Sequence, residues 1–221
     1  MNHYVSAKEF FANLSPDARV FLLIRHGERR HITPQDADNG AHVGLTDTGR
    51  QQALDLGALF PTEGDAVYFS SPVGRCIETA QRIGEGRASM GGPAAAPVQV
   101  LQPLGDFFVR DFDEYYAVLN EKFYPSICQW IADGVHPAYH DLHKRAEQMR
   151  EMMLEKGTAR FNIFASHDAW IVPCLAHFCK FNFTPGVWMN FLTGLAFVVE
   201  SGKMEQIVPV SALNDGNLYF R

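Results

Sequence analysis

Arg19-Val20-Phe21-Leu22-Leu23-Ile24-Arg25-His26-Gly27 is an apolar run fenced by two arginines and followed by a histidine and a glycine. An unbroken run of this kind, with no polar alternation, predicts a strand at residues 20–24 that is covered on both faces, as in a parallel sheet sandwiched by helices. The same grammar recurs along the chain. Short apolar runs at 66–69 (AVYF), 98–101 and 161–165 predict further strands. Helical spacing follows most of them: Ala53, Leu56 and Phe60 behind a cap at Thr46 or Thr48, a helix over 72–84 with Ile77, Ala80 and Ile83, and another over 169–178.

The first residues, up to Pro16, predict a short amphipathic helix with Phe10, Phe11 and Leu14 on one side. Between 111 and 157 two helices are expected. Tyr115, Val118, Leu119 and Phe123 belong to the first, and Leu142, Ala146, Met149 and Met153 form a core-facing stripe on the second. Residues 195–200 and 206–210 predict a hairpin turning at Ser201-Gly202. The small-residue stretch 88–97 (ASMGGPAAAP) is a surface connection, and the polar stretch 27–44 is too long for a plain one, which marks it as a functional loop. Strands alternating with helices give an α/β fold: a mainly parallel central sheet with helices on both faces, a small helical insertion around 105–157, and an antiparallel C-terminal hairpin at the edge. One domain over 1–221 is expected. A chain of 221 residues buries roughly 70% of its unfolded surface, enough to fold without a metal or disulfide staple.

Nineteen Lys and Arg stand against 25 Asp and Glu, a formal charge of -6. That balance argues against nucleic acid or an anionic membrane as partner. Any anion site must therefore be a local concentration of arginine. Cys76, Cys128, Cys174 and Cys179 form no C-x-x-C pair, which argues against a redox motif or zinc knuckle and favours a reducing compartment. The opening MNHYVSAKEFFANL lacks the basic start and apolar core of a secretory signal, and no stretch reaches about 18 apolar residues. A cytoplasmic protein is expected.

In open α/β sheets ligands bind beyond the carboxyl ends of the strands. Three predicted strands end in groups suited to phosphate: Arg25-His26-Gly27-Glu28-Arg29, Ser70-Ser71-Pro72 before Arg75, and Ser166-His167-Asp168. Guanidinium forks donate paired charge-assisted hydrogen bonds to phosphate oxygens. Among them a neutral imidazole is a nucleophile near pH 7, since its reference pKa is about 6.5 and neighbouring arginines lower it. A second histidine, protonated when phosphate is bound, would donate to the equatorial oxygens, and a carboxylic acid would protonate the leaving alcohol.

These segments, with Leu45-Thr46, Gly49 and Gln52-Ala53, and Glu78-Thr79-Ala80 after Arg75, resemble the successive motifs of the histidine phosphatase superfamily over roughly residues 19 to 200. That superfamily includes cofactor-dependent phosphoglycerate mutases, phosphohistidine phosphatases and acid phosphatases. The resemblance implies that His26 becomes phosphorylated and that Arg25, Arg75 and His167 hold the phosphoryl group. Arg29 matches the second arginine of the R-H-G-x-R form in the acid phosphatase branch. His167-Asp168 is similar to the His-Asp pair of that branch, whose aspartate is the general acid; Asp106, in Leu104-Gly105-Asp106, falls where the mutase-like branch places its glutamate. Asp168 is preferred over Asp106.

Competing explanations exist for several of these residues. Asp106 and Asp168 each sit where an aspartate caps a helix, and Glu28 is most simply a loop charge or an arginine's partner. His136, His140 and His143 read as a solvated face and not as metal ligands. His31 and His42 lie in the long loop, within reach of a pocket mouth. The expected activity is a metal-independent phosphomonoesterase needing no cofactor, acting on a small phosphorylated substrate or a phosphoprotein. The alternatives are a mutase-like phosphotransfer between two hydroxyls and a phosphoprotein-binding module without turnover.

Overall fold

The computed structural model describes residues 2–33, 35–201, 203 and 205–220. The decisive run forms β2 (Arg19–Arg25), whose side chains alternate between two cores. Phe21 and Leu23 face one, Val20, Leu22 and Ile24 the other, and all five are 0–1% exposed. Period-two alternation with both faces apolar is why the sequence shows an unbroken run.

Ahead of β2 lie a two-residue strand β1 (Val5–Ser6) and helix α1 (Ala7–Ala12), capped by Ser6. After it come α2 (Asp47–Ala58), β3 (Ala66–Ser70), α3 (Gly74–Ser89) and β4 (Gln99–Val100). The insertion holds α4 (Pro103–Asp106), α5 (Phe112–Glu121), α6 (Phe123–Asp133) and α7 (Leu142–Lys156). The chain returns through β5 (Phe161–Ser166) and α8 (Asp168–Cys179) to β6 (Val187–Met189), β7 (Thr193–Val199), β8 (Gln206–Ser211) and β9 (Asn217–Tyr219).

The main sheet runs β1-β8-β7-β2-β5-β3-β4, with β2, β5, β3 and β4 parallel and β7 antiparallel to both β2 and β8. β6 and β9 pair separately as a short antiparallel ribbon. α1, α2 and α3 pack on one face and α4 to α8 on the other, each with its own apolar core. The fold class agrees with the sequence expectation, including the β7–β8 hairpin; Gly202 of its predicted turn lies outside the described residues. No helix among the described residues is long and apolar enough to cross a membrane.

Four differences have physical reasons. The hairpin is not the sheet edge, because β1 pairs in parallel with β8 outside it. The insertion between 111 and 157 holds three helices rather than two: Lys122, with φ -145°, breaks the first, and Pro125 sits in the first turn of α6, where a missing N–H costs nothing. α3 continues five residues past its predicted end. Its glycines do not stop it but admit α2, since a Cβ on Gly86 would lie 2.0 Å from the Leu54 carbonyl oxygen and one on Gly57 2.1 Å from that of Ile83. Finally, the β6–β9 ribbon had no sequence signal.

Candidate active site

Register fixes the site. Arg25 lies opposite Ser166 and Ile24 opposite Ala165, while Ser70 is also opposite Ala165, so the carboxyl ends of β2, β5 and β3 finish level. His26, Ser71 and His167 are the next residues out. The His26 amide donates to the Ser166 carbonyl and the Ser71 amide to that of Ala165, each at 3.0 Å, which ties the three turns together. Thr79 on α3 bonds both ways: it accepts from the Gly27 amide at 3.0 Å and donates to the Arg75 carbonyl at 2.7 Å.

Arg25, His26, Arg75, His167 and Asp168 are all buried polar residues of this edge, at 1–8% exposure. The His26 and His167 rings lie 5.6 Å apart between centroids. His26 Nδ1 is 2.8 Å from the Gly27 carbonyl oxygen, which can only accept. The proton therefore sits on Nδ1, and Nε2 carries the lone pair. Burial, and after it Arg25, His167 and Arg75, holds the His26 pKa well below the usual imidazole range. His167 is likewise held low by burial and by Arg75, and its Nε2 is bonded to the Ser71 hydroxyl at 3.0 Å. Both rings are neutral at pH 7.

Asp168 is gripped at both oxygens. Oδ1 accepts from the Ala169 amide at 3.0 Å; Oδ2 accepts from Trp188 Nε1 at 2.9 Å and pairs with Arg25 Nη2 at 2.8 Å. Burial alone would raise its pKa, but Arg25, the Trp188 N–H and Arg29 outweigh it, and the carboxyl stays below its ordinary value. Arg25 Nη1 donates to the Met189 carbonyl at 2.5 Å, and its guanidinium carbon lies 4.3 Å from the centre of the Phe191 ring. Arg75 Nη1 donates to the Gly40 carbonyl in the long loop at 2.9 Å, and Arg29 Nη1 to the Arg30 carbonyl at 2.8 Å. The Nε donors of Arg25, Arg29 and Arg75 are all buried without a partner among the described residues. Three guanidiniums thus converge beside one carboxylate. The local excess of two positive charges, with unspent donors, matches the charge and acceptors of a phosphate dianion.

Arg25, Arg29, Arg75, His167 and Asp168 line a cavity of about 540 Å³, and His26 lies just behind them at 1% exposure. The sequence profile of the histidine phosphatase superfamily (branch 1) matches residues 21–197. The chain belongs to this superfamily. It is similar to an acid phosphatase of Mycobacterium tuberculosis, 26% identical over 190 residues that cover 83% of each chain. Among solved structures it is similar in fold to a phosphoserine phosphatase of Entamoeba histolytica bound to phosphoserine, with TM-score 0.53, 17% identity, and coverage of 86% of this chain and 94% of that one. A mycobacterial glucosyl-3-phosphoglycerate phosphatase matches with TM-score 0.51 and 16% identity, over 89% of this chain and all of its own.

In this superfamily member the two proposed proton donors separate. Asp168 faces the cavity with Arg25, whereas Asp106 accepts from Gln102 Nε2 at 3.0 Å at the end of α4 and does not line the cavity. Glu28 accepts from the Thr46 hydroxyl at 2.8 Å, so its partner is the N-cap of α2 and not an arginine. His31 lines the cavity; His42 instead turns to the Ala37 carbonyl and Asp36. His136 is not simply solvated: it is half-buried and bonded to Ser126 and the Ala138 amide. His143 pairs with His177 on the surface, at 2.8 Å between Nδ1 atoms. Sequence reasoning missed Trp188, Met189 and Phe191, which grip Asp168 and Arg25 from the ribbon and the turn behind it.

Proposed function

We propose that the chain is a metal-independent phosphomonoesterase working through a phosphohistidine on His26. The observation carrying this reading is the meeting of three arginines with unspent donors and a histidine whose tautomer leaves Nε2 free. A phosphate ester takes the donors of Arg25, Arg29 and Arg75, displacing Asp168 and Phe191 from Arg25. His26 Nε2 attacks phosphorus in line; the P–N bond forms as the bond to the alcohol oxygen breaks, and Asp168 passes a proton to that oxygen. Water then attacks the phosphohistidine, gives a proton back to Asp168, and releases phosphate and neutral His26. Arginines fixed by backbone carbonyls stabilise charge on the transferring oxygens in both steps.

The completeness of the set counts against a binding module without turnover. The reading is tested with His26→Ala and an aryl phosphate in excess chelator. Turnover is expected to fall by at least about four orders of magnitude, with wild type insensitive to chelator. Undiminished turnover in the variant, or its loss in wild type with chelator, refutes the reading.

A further inference from the structure

The cavity has two unlike walls. Its floor is the cluster of arginine, histidine and aspartate; its far wall is apolar. Tyr115 and Leu119 from α5 and Phe123 and Tyr124 from α6 face it, with Leu218 on β9 and Phe220 beyond completing the surface. All of these are half-buried or exposed, so the wall presents apolar surface to the concavity, while Tyr115, Phe123 and Tyr124 also pack against the core behind it. Tyr124 packs on Phe220 at 5.0 Å between ring centres and on Trp188 at 4.9 Å, which fixes the wall to the ribbon that grips Asp168. Burial pushes the Tyr115 and Tyr124 phenols up, so the wall stays uncharged through the working pH range.

Beyond the three floor arginines and His167, His31 is the one basic side chain on the cavity lining among the described residues, and Asp36 and Asp38 line it too. A second anionic group on a substrate, such as the carboxylate of a phosphorylated hydroxy acid, would find no free arginine or lysine there. A phenyl ring would find four aromatic neighbours. At about 540 Å³ the cavity lies within the range of small-molecule sites and has room for an alcohol well beyond the phosphoryl group.

Resting on the phosphatase reading, we infer that the preferred substrate is the phosphate monoester of an alcohol bearing an aromatic ring or an apolar group of similar size, seated between α5, α6 and the chain end at Leu218 and Phe220. Hydrolysis of ethyl phosphate, 2-phenylethyl phosphate and 3-phosphoglycerate compares aliphatic leaving groups, so the ring itself is read. The phenylethyl ester is expected to exceed ethyl phosphate in kcat/KM by at least about tenfold, and 3-phosphoglycerate to fall below both. Leu119→Asn, on a half-buried position, is expected to erase most of that preference and to leave ethyl phosphate within about twofold of wild type. Equal kcat/KM for the two neutral alcohols, or a preference for 3-phosphoglycerate, overturns the inference. Calorimetric binding of 2-phenylethylphosphonate against ethylphosphonate reads the wall without turnover: equal affinity overturns the wall. Absence of turnover with a retained affinity difference overturns the phosphatase reading and leaves the wall standing.

Discussion

At the scale of single residues the site is set by protons. His26 and Asp168 are both held below their ordinary pKa, the first by burial and Arg25, the second by Arg25, Trp188 and Arg29 against the pull of burial. Above its lowered pKa His26 is a free base, and above its own Asp168 is ionised. On the proposed mechanism the free protein near pH 6 therefore has its nucleophile ready and no proton for the leaving group. That proton must arrive on the ester, whose second pKa is about 6. Because kcat/KM reports free enzyme and free substrate, it is expected to hold level from about pH 5 to 6 and to fall about tenfold per pH unit above. A profile that is flat or rising from pH 6 to 8 contradicts this assignment. Arg25, His26, Arg75, His167 and Asp168 were all legible because each directly follows or ends a predicted strand, or opens the next helix. Spacing alone does not choose between Asp168 and Asp106: the Asp106 side chain turns to Gln102, a choice of partner that no spacing reveals.

Elements decide which of these residues are held still. The continuous apolar runs identified the central strands, since burial on both faces leaves a one-dimensional mark. The β6–β9 ribbon left none. Its strands are three residues each, lie about thirty positions apart, and mix Trp188 and Met189 with Asn217 in no periodic pattern. Yet this ribbon carries Trp188, whose N–H reaches Asp168, and the Met189 carbonyl, which fixes Arg25. Trp188→Phe keeps most of the ring and deletes that donor. A hydrogen bond to a charged group is worth about 1.5–3 kcal/mol, so kcat is expected to fall by about ten- to a hundredfold. Below the Asp168 pKa the free protein carries one proton too many, which gives kcat/KM an acid limb; losing the donor lets that pKa rise and moves the limb to higher pH, while far-ultraviolet circular dichroism stays unchanged. An unaltered acid limb would show that Trp188 only packs.

For the whole molecule, a net charge of -6 surrounds a pocket with locally excess positive charge. Not all buried arginine belongs to it. Arg87, 1% exposed, donates to the carbonyls of Pro61, Thr62, Glu63 and Gly64 after α2 and is structural. In the pocket, by contrast, Arg25, Arg29 and Arg75 repel one another with Asp168 as their shared carboxylate, so a bound anion offsets that repulsion. Phosphate binding only the folded state at about 100 times its Kd adds about 2.7 kcal/mol, which for a chain of this size is a rise in Tm of roughly 5–10 °C. Thermal melting in phosphate against chloride at equal ionic strength measures it. A Tm that does not move separates the arginines from anion binding.

The central claim is a covalent bond between phosphorus and His26. Rapid mixing of enzyme with an aryl phosphate, quenching in base and intact-mass measurement tests it directly. The expected result is one added phosphoryl group of about 80 Da that survives base, is lost in acid, maps to His26 and is missing in His26→Ala, as a phosphohistidine intermediate requires. Turnover with no phosphoryl adduct at any time of quenching, or an adduct that persists in His26→Ala, would contradict it.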